Sequence, residues 1–201
     1  MEKIVVIASN NAHKVSEIAE ALDFPGWRFR TLREVGIVSD PEEDADTFEG
    51  NARIKARAAR EASGGRAVLA DDSGLAVDAL DGAPGVRSAR YAGDPCDDAA
   101  NNAKLLSELA GVPDEKRTAR FVCTLVFIDE DGSETVACGA VEGRIGHEGR
   151  GEHGFGYDPL FLPDVFGGER TLAEALPEEK NAVSHRGNAL RALRARIEGA
   201  A

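Results

Sequence analysis

Carboxylates occur at two places where they can hold a divalent cation. Asp71 and Asp72 directly follow residues 67–70, a short apolar run typical of a buried strand. Successive side chains on a strand point to opposite faces, so one aspartate should face a site while the other binds backbone amides. Glu42 and Glu43 lie in residues 40–49, which hold six acids and no base. This segment is either a solvated loop or a Mg²⁺ site, since Mg²⁺ needs only one or two carboxylates beside phosphate oxygens.

A positively charged turn follows the first predicted strand, residues 4–8. It consists of Ser9, Asn10, Asn11, Ala12, His13 and Lys14. The turn opens a predicted helix, where free backbone N–H groups and the helix dipole favour phosphate, and Lys14 adds a full charge. Lys55, in a predicted helix over residues 47–62, is a second candidate cation or an ordinary surface lysine. The turn does not match GxxxxGK[ST], which excludes P-loop kinases and GTPases.

A glycine-flanked aromatic segment is the third candidate. Gly154-Phe155-Gly156-Tyr157-Asp158-Pro159 lets the backbone approach a ligand while Phe155 and Tyr157 offer stacking faces. Lys180, His185 and Arg186, near the start of the last predicted helix, can donate hydrogen bonds to a base or a phosphate.

Three other patterns fail on context. Residues 149–154 match GxGxxG, the pattern of Rossmann dinucleotide-binding sites, but they lead into the aromatic segment and Pro159 rather than into a helix. His147 and His153 are six residues apart, the wrong spacing for a zinc-protease helix. Ser73 is not in a GxSxG sequence, so a serine hydrolase is excluded.

The order of predicted elements indicates an α/β fold. Strands over residues 4–8 and 67–70 alternate with helices, and residues 27–30 alternate like an edge strand. A long β-hairpin is predicted at about residues 119–142. Asp46 with Glu49, and Thr171 with Glu174, have the spacing of helix capping boxes.

Composition narrows the class of partner. A net charge of −12 over 201 residues opposes a nucleic-acid polymer, but a small polyanion accompanied by a metal remains possible. Three cysteines without a CxxC pattern favour a reducing cytosol, and no signal peptide or membrane span is predicted.

Several segments also resemble one known family, in order and spacing, across nearly the whole chain. They are residues 9–14, Thr47-Phe48, Asn51-Ala52, Lys55-Ala56, residues 70–75, residues 82–85, residues 88–91, residues 154–159 with Phe161, Glu179-Lys180 and residues 184–187. The chain resembles the inosine-triphosphate/xanthosine-triphosphate pyrophosphatases, which remove deaminated purine nucleotides from the nucleotide pool.

The resemblance implies an elongated mixed sheet with flanking helices, two lobes and a central cleft. It implies one pyrophosphatase domain over residues 1–201, with the hairpin contributing to the second lobe, and a cytoplasmic homodimer. The implied reaction is Mg²⁺-dependent attack of water on the α-phosphate of ITP, dITP or XTP, which yields nucleoside monophosphate and pyrophosphate.

The resemblance also implies a role for each candidate residue. Residues 9–14 hold the triphosphate, with Lys14 and Lys55 as charge partners, and Ser73 contacts substrate. Asp72 and either Glu43 or its neighbour Glu42 bind Mg²⁺, and Asp72 accepts a proton. The base pocket comprises Phe155, Gly156, Tyr157, Asp158, Lys180, His185 and Arg186.

Two residues depart from the family pattern. Asn10 stands where a glycine is usual, and asparagine tolerates a left-handed backbone better than most residues. His153 stands where a glycine is common before the aromatic segment.

Chemistry suggests how the base is selected. Hypoxanthine and xanthine present a 6-keto acceptor where adenine presents a 6-amino donor, and an unpaired site rejects the wrong analogue. Two alternatives remain: a pyrophosphatase for another modified nucleotide, and a nucleotide sensor without turnover.

Overall fold

The computed structural model describes residues 2–21 and 24–199. The strands are β1 Lys3–Ile7, β2 Trp27–Thr31, β3 Ala67–Val77, β4 Thr118–Ile128, β5 Glu134–Ile145 and β6 Phe161–Pro163. The α-helices are α1 Ala12–Ala21, α2 Phe48–Ala62, α3 Asp98–Glu108, α4 Pro177–Val183 and α5 His185–Gly199. Short 3₁₀ helices cover Asp78–Leu80, Gly85–Arg90, Asp114–Lys116, Asp164–Phe166 and Leu172–Glu174.

The six strands form one mixed sheet in the order β2-β1-β3-β4-β5-β6. β1 runs parallel to both β2 and β3, whereas β5 and β6 are antiparallel. The predicted α/β class is therefore confirmed. The predicted edge strand, β2, is at one end of the sheet order.

The chain divides into two compact units. The first comprises the described residues within Met1–Asp72, Cys123–Gly139 and Arg186–Ala201, and the second comprises Ser73–Val122 and Ala140–His185. β3, β4 and β5 each contribute residues to both units. The hairpin of β4 and β5 is closed by Asp129 N donating to Ser133 O at 2.9 Å, and its distal part belongs to the first unit.

The first unit has apolar packing on both faces of its strands. Val5 and Ile7 pack with Ala189, Leu190 and Leu193 of α5 and with Ile18 of α1. Val6 and Ala8 pack instead with Ala52, Ala56 and Ala59 of α2. This arrangement explains why residues 4–8 are almost continuously apolar.

The second unit has its own core, which includes Leu75, Leu105, Phe121 and Phe161. A close approach near its start requires a glycine. A Cβ on Gly74 would lie 2.3 Å from Ser88 Oγ, which accepts a hydrogen bond from Leu75 N and donates one to Gly85 O.

Two local predictions are wrong. β3 does not end at Ala70 but continues through Asp71 and Asp72 to Val77. α2 is capped by Thr47, whose side chain accepts from Gly50 N, rather than by Asp46.

One other local prediction is confirmed. Thr171 and Glu174 form the predicted capping box. None of the helices in the described part of the chain is both long enough and apolar enough to cross a membrane.

Candidate active site

Strand alternation places the two aspartates of β3 on opposite faces of the sheet. Leu69 belongs to the core under α1 and α5, so Asp71, two residues on, faces the same helices. Ala70 belongs to the core under α2, so Asp72 faces α2. The two carboxylates therefore have different partners and different chemical environments.

Asp72 meets two side chains from α2. Its Oδ1 lies 2.9 Å from Lys55 Nζ, and its Oδ2 accepts a longer hydrogen bond, 3.4 Å, from Asn51 Nδ2. Asn51 also accepts from Ala45 N at 3.0 Å, which ties the acidic segment to the start of α2. Asn51 and Lys55 are four residues apart, so they lie on one helix face.

Lys55 brings a second carboxylate to Asp72. Its Nζ lies 2.9 Å from Glu43 Oε2 and 2.9 Å from Asp72 Oδ1, so the two carboxylates converge on one ammonium. Glu42 is exposed and forms no ion pair within the residues the structure describes. The geometry therefore selects Glu43 over Glu42 as the acid that lies beside Asp72.

The donor set fits Mg²⁺. In the described part of the chain, no three His, Cys, Asp or Glu side chains are grouped around a point that can hold a metal ion. Mg²⁺ does not need such a cage, because one or two carboxylates with phosphate oxygens and waters satisfy it. Glu43 and Asp72 supply two carboxylates of this kind.

Asp71 is fully enclosed between two cations. Its Oδ1 lies 3.5 Å from Lys14 Nζ and its Oδ2 lies 3.2 Å from Arg186 Nη2. Arg186, only 1% exposed, also pairs with Glu17 of α1. The sequence predicted backbone amides as the partners of this aspartate, so its two cationic partners were missed.

Burial and charge shift the two aspartates in opposite directions. Burial raises the pKa of Asp72 above its ordinary value, against the opposing charges of Lys55 and Lys14. Burial also acts to raise the pKa of Asp71, but Lys14 and Arg186 outweigh it and hold that pKa well below its usual range. Asp71 is thus a fixed negative charge, whereas Asp72 is the more basic carboxylate.

The turn before α1 is capped by its own side chain. Asn11 Oδ1 accepts from His13 N at 3.0 Å and from Lys14 N at 3.1 Å, and Ser9 Oγ accepts from Asn11 N at 3.2 Å. The prediction of free N–H groups is therefore wrong for His13 and Lys14. Ala12, the first residue of α1, is exposed.

Asn10 does not need a left-handed backbone. Among the described residues other than glycine, only Asp81 has a positive φ. The Asn10 side chain instead donates to Ser39 O at 3.0 Å and to Asp40 Oδ1 at 3.2 Å. It links the turn to the acidic segment, a role that the glycine usual at this position cannot fill.

The aromatic segment of the second unit is organised by Asp158. Asp158 Oδ2 accepts from Phe155 N at 2.9 Å and from Lys180 Nζ at 2.7 Å. A Cβ on Gly154, where φ is +78°, would lie 2.2 Å from the same oxygen, so this position requires glycine. Lys180 Nζ also lies 4.7 Å from the centre of the Phe155 ring.

Tyr157 and His185 are held by packing in the second unit. The Tyr157 hydroxyl donates to Ser88 O at 2.8 Å, and burial raises the pKa of this phenol. The His185 ring stacks on Phe121 with centroids 4.8 Å apart and planes 13° apart. His153 is exposed, and its backbone N–H donates to Ala173 O at 3.0 Å.

Several of these residues form two groups. The first unit holds an acid–lysine cluster, defined as Glu43, Lys55, Asp72, Asp71 and Lys14. The second unit holds an aromatic loop, residues 154–158, with Lys180. Ser73 follows Asp72 within β3 and is half-buried.

A family model described as the Ham1 family matches residues 5–196. The chain belongs to the Ham1 family. It is 52% identical over 187 residues to a dITP/XTP pyrophosphatase of Desulforamulus reducens, covering 93% of this chain and 92% of that one. It is 48% identical over 197 residues to a dITP/XTP pyrophosphatase of Bacillus subtilis, covering 98% of each. The solved structure of the Staphylococcus aureus Ham1 protein superposes with a TM-score of 0.87 at 42% identity, covering 99% of this chain and 100% of that one.

Within this Ham1 chain, the sequence missed Asn51 and Glu17 as members of the site. Asn51 sits one helical turn before Lys55, a spacing that could have indicated a shared face. No comparable signal exists for Glu17, because its partner Arg186 is 169 residues away.

Proposed function

We propose that this chain hydrolyses nonstandard purine nucleoside triphosphates, namely ITP, dITP and XTP, to the monophosphate and pyrophosphate. Two named relatives are dITP/XTP pyrophosphatases and match along nearly their whole length. The observation that carries the proposal is the convergence of Glu43 and Asp72 on Lys55. It combines carboxylates, a cation and a basic proton acceptor, the groups that phosphoanhydride cleavage requires.

Lys14 and Lys55 neutralise the triphosphate. Lys14 is held by Asp71 and Lys55 by Glu43 and Asp72, so both ammonium groups are positioned before substrate arrives. The hydroxyl and amide side chains of Ser9 and Asn11 line the turn beside Lys14. Ser73, which follows Asp72 in β3, is a further residue assigned to substrate contact.

Glu43 and Asp72 would hold Mg²⁺. A bound Mg²⁺ neutralises charge on the phosphate oxygens as a Lewis acid. The chain's own part is to supply two carboxylates whose positions are fixed by Lys55 and, for Asp72, by Asn51.

Asp72 accepts the proton of the attacking water. The water oxygen forms a bond to the α-phosphorus, and the bond from that phosphorus to the oxygen bridging to the β-phosphate breaks. Pyrophosphate leaves with the bonding electron pair, and the water proton passes to Asp72. Burial favours this role, because it makes Asp72 more basic than an exposed aspartate.

The aromatic loop takes the purine. Phe155 offers a stacking face, and Lys180 and His185 are the donors for the 6-keto oxygen. Lys180 is preset by its contact with Asp158. Arg186 belongs to the first unit together with Asp71 and Glu17, which its guanidinium contacts, so it is assigned a positioning role.

A substrate panel tests the proposal. Purified protein is incubated with ITP, XTP, GTP or ATP and Mg²⁺, and released pyrophosphate is measured against the Asp72→Asn variant. ITP and XTP should be hydrolysed far faster than ATP, because a hydrogen-bonding mismatch can cost about 10⁴-fold or more. Equal rates for ITP and ATP would overturn the substrate assignment. Tight nucleotide binding without pyrophosphate would favour the sensor.

The homodimer and the cytoplasmic location implied by the resemblance belong to the same proposal. Size-exclusion chromatography with light scattering tests the first, and a mass of one chain would refute it.

A further inference from the structure

One helix, α3, makes hydrogen bonds to both the N–H and the C=O of Gly156, the central residue of the aromatic loop. Asp98 Oδ2 accepts from Gly156 N at 2.7 Å, and Asn102 Nδ2 donates to Gly156 O at 2.9 Å. Asp98 and Asn102 are four residues apart on α3 and so present both groups from one helix face. A carboxylate accepting from an N–H makes the stronger kind of hydrogen bond.

The space beside the Gly156 Cα is open. Gly156 has φ +61°, and a Cβ built on it would meet nothing within 4 Å. Gly154, by contrast, lies tightly against Asp158. Gly156 also lies inside a turn in which Asp158 N donates to Phe155 O at 3.2 Å. Because glycine is conformationally permissive, the two hydrogen bonds from α3 add a direct restraint on its own N–H and C=O groups.

α3 is itself well anchored where it makes these contacts. Asp97 caps the helix by accepting from Ala100 N at 2.9 Å. Asn101, which is 2% exposed, accepts from Ala92 N at 2.7 Å and donates to Ala89 O at 3.0 Å. The two groups that hold Gly156 are therefore carried by a rigid element.

We propose that Asp98 and Asn102 are positioning residues that fix the aromatic loop in the conformation that receives the purine. Phe155 and Tyr157 flank Gly156, so rotation of its backbone would move the stacking ring of Phe155 relative to the anchored Tyr157. Presetting the loop removes an ordering cost that substrate binding would otherwise bear. This inference rests on the proposed function, because it takes the aromatic loop as the purine site.

Two isosteric variants test the contacts separately. Asp98→Asn replaces the charged acceptor by a neutral one, and Asn102→Asp replaces the donor by an acceptor facing Gly156 O. Ser107→Ala, at an exposed position on the same helix, is the matched control. Either of the two α3 variants alone is informative if the other fails to fold.

Amide hydrogen exchange at Gly156 and steady-state kinetics with ITP and XTP are the two measurements. In both Asp98→Asn and Asn102→Asp, the Gly156 amide should exchange faster than in wild type. Each substitution should also raise KM by about threefold to tenfold, the worth of one hydrogen bond, with kcat nearly unchanged. Ser107→Ala should change neither. A merely structural role would lower the melting temperature without this split between KM and kcat.

The outcomes separate this inference from the proposed function. Wild-type exchange at Gly156 in both variants, or faster exchange with unchanged KM, would overturn the positioning role. If wild-type protein releases no pyrophosphate from any nucleotide, the proposed function fails, and the purine-positioning role fails with it. Amide exchange at Gly156 still reports whether α3 holds the loop in that case.

Discussion

Replacing the two neighbouring aspartates of β3 one at a time should separate a structural carboxylate from a chemical one. Asp71→Asn removes the negative charge between Lys14 and Arg186, and Asp72→Asn removes the charge beside Lys55. The side-chain volumes barely change. The two variants should therefore differ in kind: the first should lose stability and the second should lose turnover.

The cost of Asp71→Asn follows from burial. Asp71 and Arg186 are each 1% exposed, and breaking a buried pair by removing one partner costs about 3–5 kcal/mol. Glu17 still contacts Arg186, which places the expected loss near the lower end, about 3 kcal/mol. For a chain of this length that corresponds to a melting temperature lower by about 6–12 °C.

Asp72→Asn should behave differently, because Lys55 keeps Glu43 as a partner. Loss of a general base typically lowers turnover by about 10²–10⁴-fold, and loss of a metal ligand would add to it. The free energy of unfolding should change little, because a neutral amide removes the desolvation cost of the buried carboxylate along with its attraction to Lys55.

Melting followed by circular dichroism and kcat with ITP, both at neutral pH, provide the assay. Asp44→Asn, at an exposed position in the acidic segment, is the control and should alter neither quantity. Should Asp71→Asn abolish turnover at normal stability while Asp72→Asn stays active and melts early, the assignment of the two faces is refuted.

Three further outcomes are expected. Glu43→Gln should raise the Mg²⁺ concentration needed for half-maximal activity whereas Glu42→Gln should not, and equal effects in a Mg²⁺ titration would contradict the choice of Glu43. Activity should vanish in excess EDTA and return with Mg²⁺, so full turnover in EDTA would exclude the metal. His185→Ala should narrow the ITP-to-ATP ratio of kcat/KM. Phe155→Ala and Lys14→Ala should leave this ratio unchanged, because stacking and phosphate contacts are common to all purine nucleotides. A changed ratio in Lys14→Ala alone would reverse the pocket assignments.

Local patterns in the sequence predicted much of the fold because they report burial directly. Residues 4–8 read as a doubly buried strand, and the structure packs helices on both of its faces. The alternation rule also predicted that Asp71 and Asp72 would face different surroundings. It did not predict that β3 continues to Val77, because Gly74 breaks the apolar pattern; the structure requires glycine there because Ser88 approaches closely.

The parts of the site that sequence reasoning missed depend on contacts between distant residues. Arg186 read alone is an ordinary surface charge and the resemblance implies a base-pocket role, yet the structure buries it against Asp71, 115 residues away. Asn102 and Gly156 are 54 residues apart. No periodicity links such positions, so only the folded chain brings them together.

Isotope labelling distinguishes attack at the α-phosphate from attack at the other phosphates. Hydrolysis of dITP in H₂¹⁸O, followed by mass spectrometry of both products, identifies the phosphorus atom that water attacks. Attack at the α-phosphate predicts one ¹⁸O atom in the deoxyinosine monophosphate and none in the pyrophosphate. Label in pyrophosphate or inorganic phosphate, with an unlabelled monophosphate, would contradict attack at the α-phosphate.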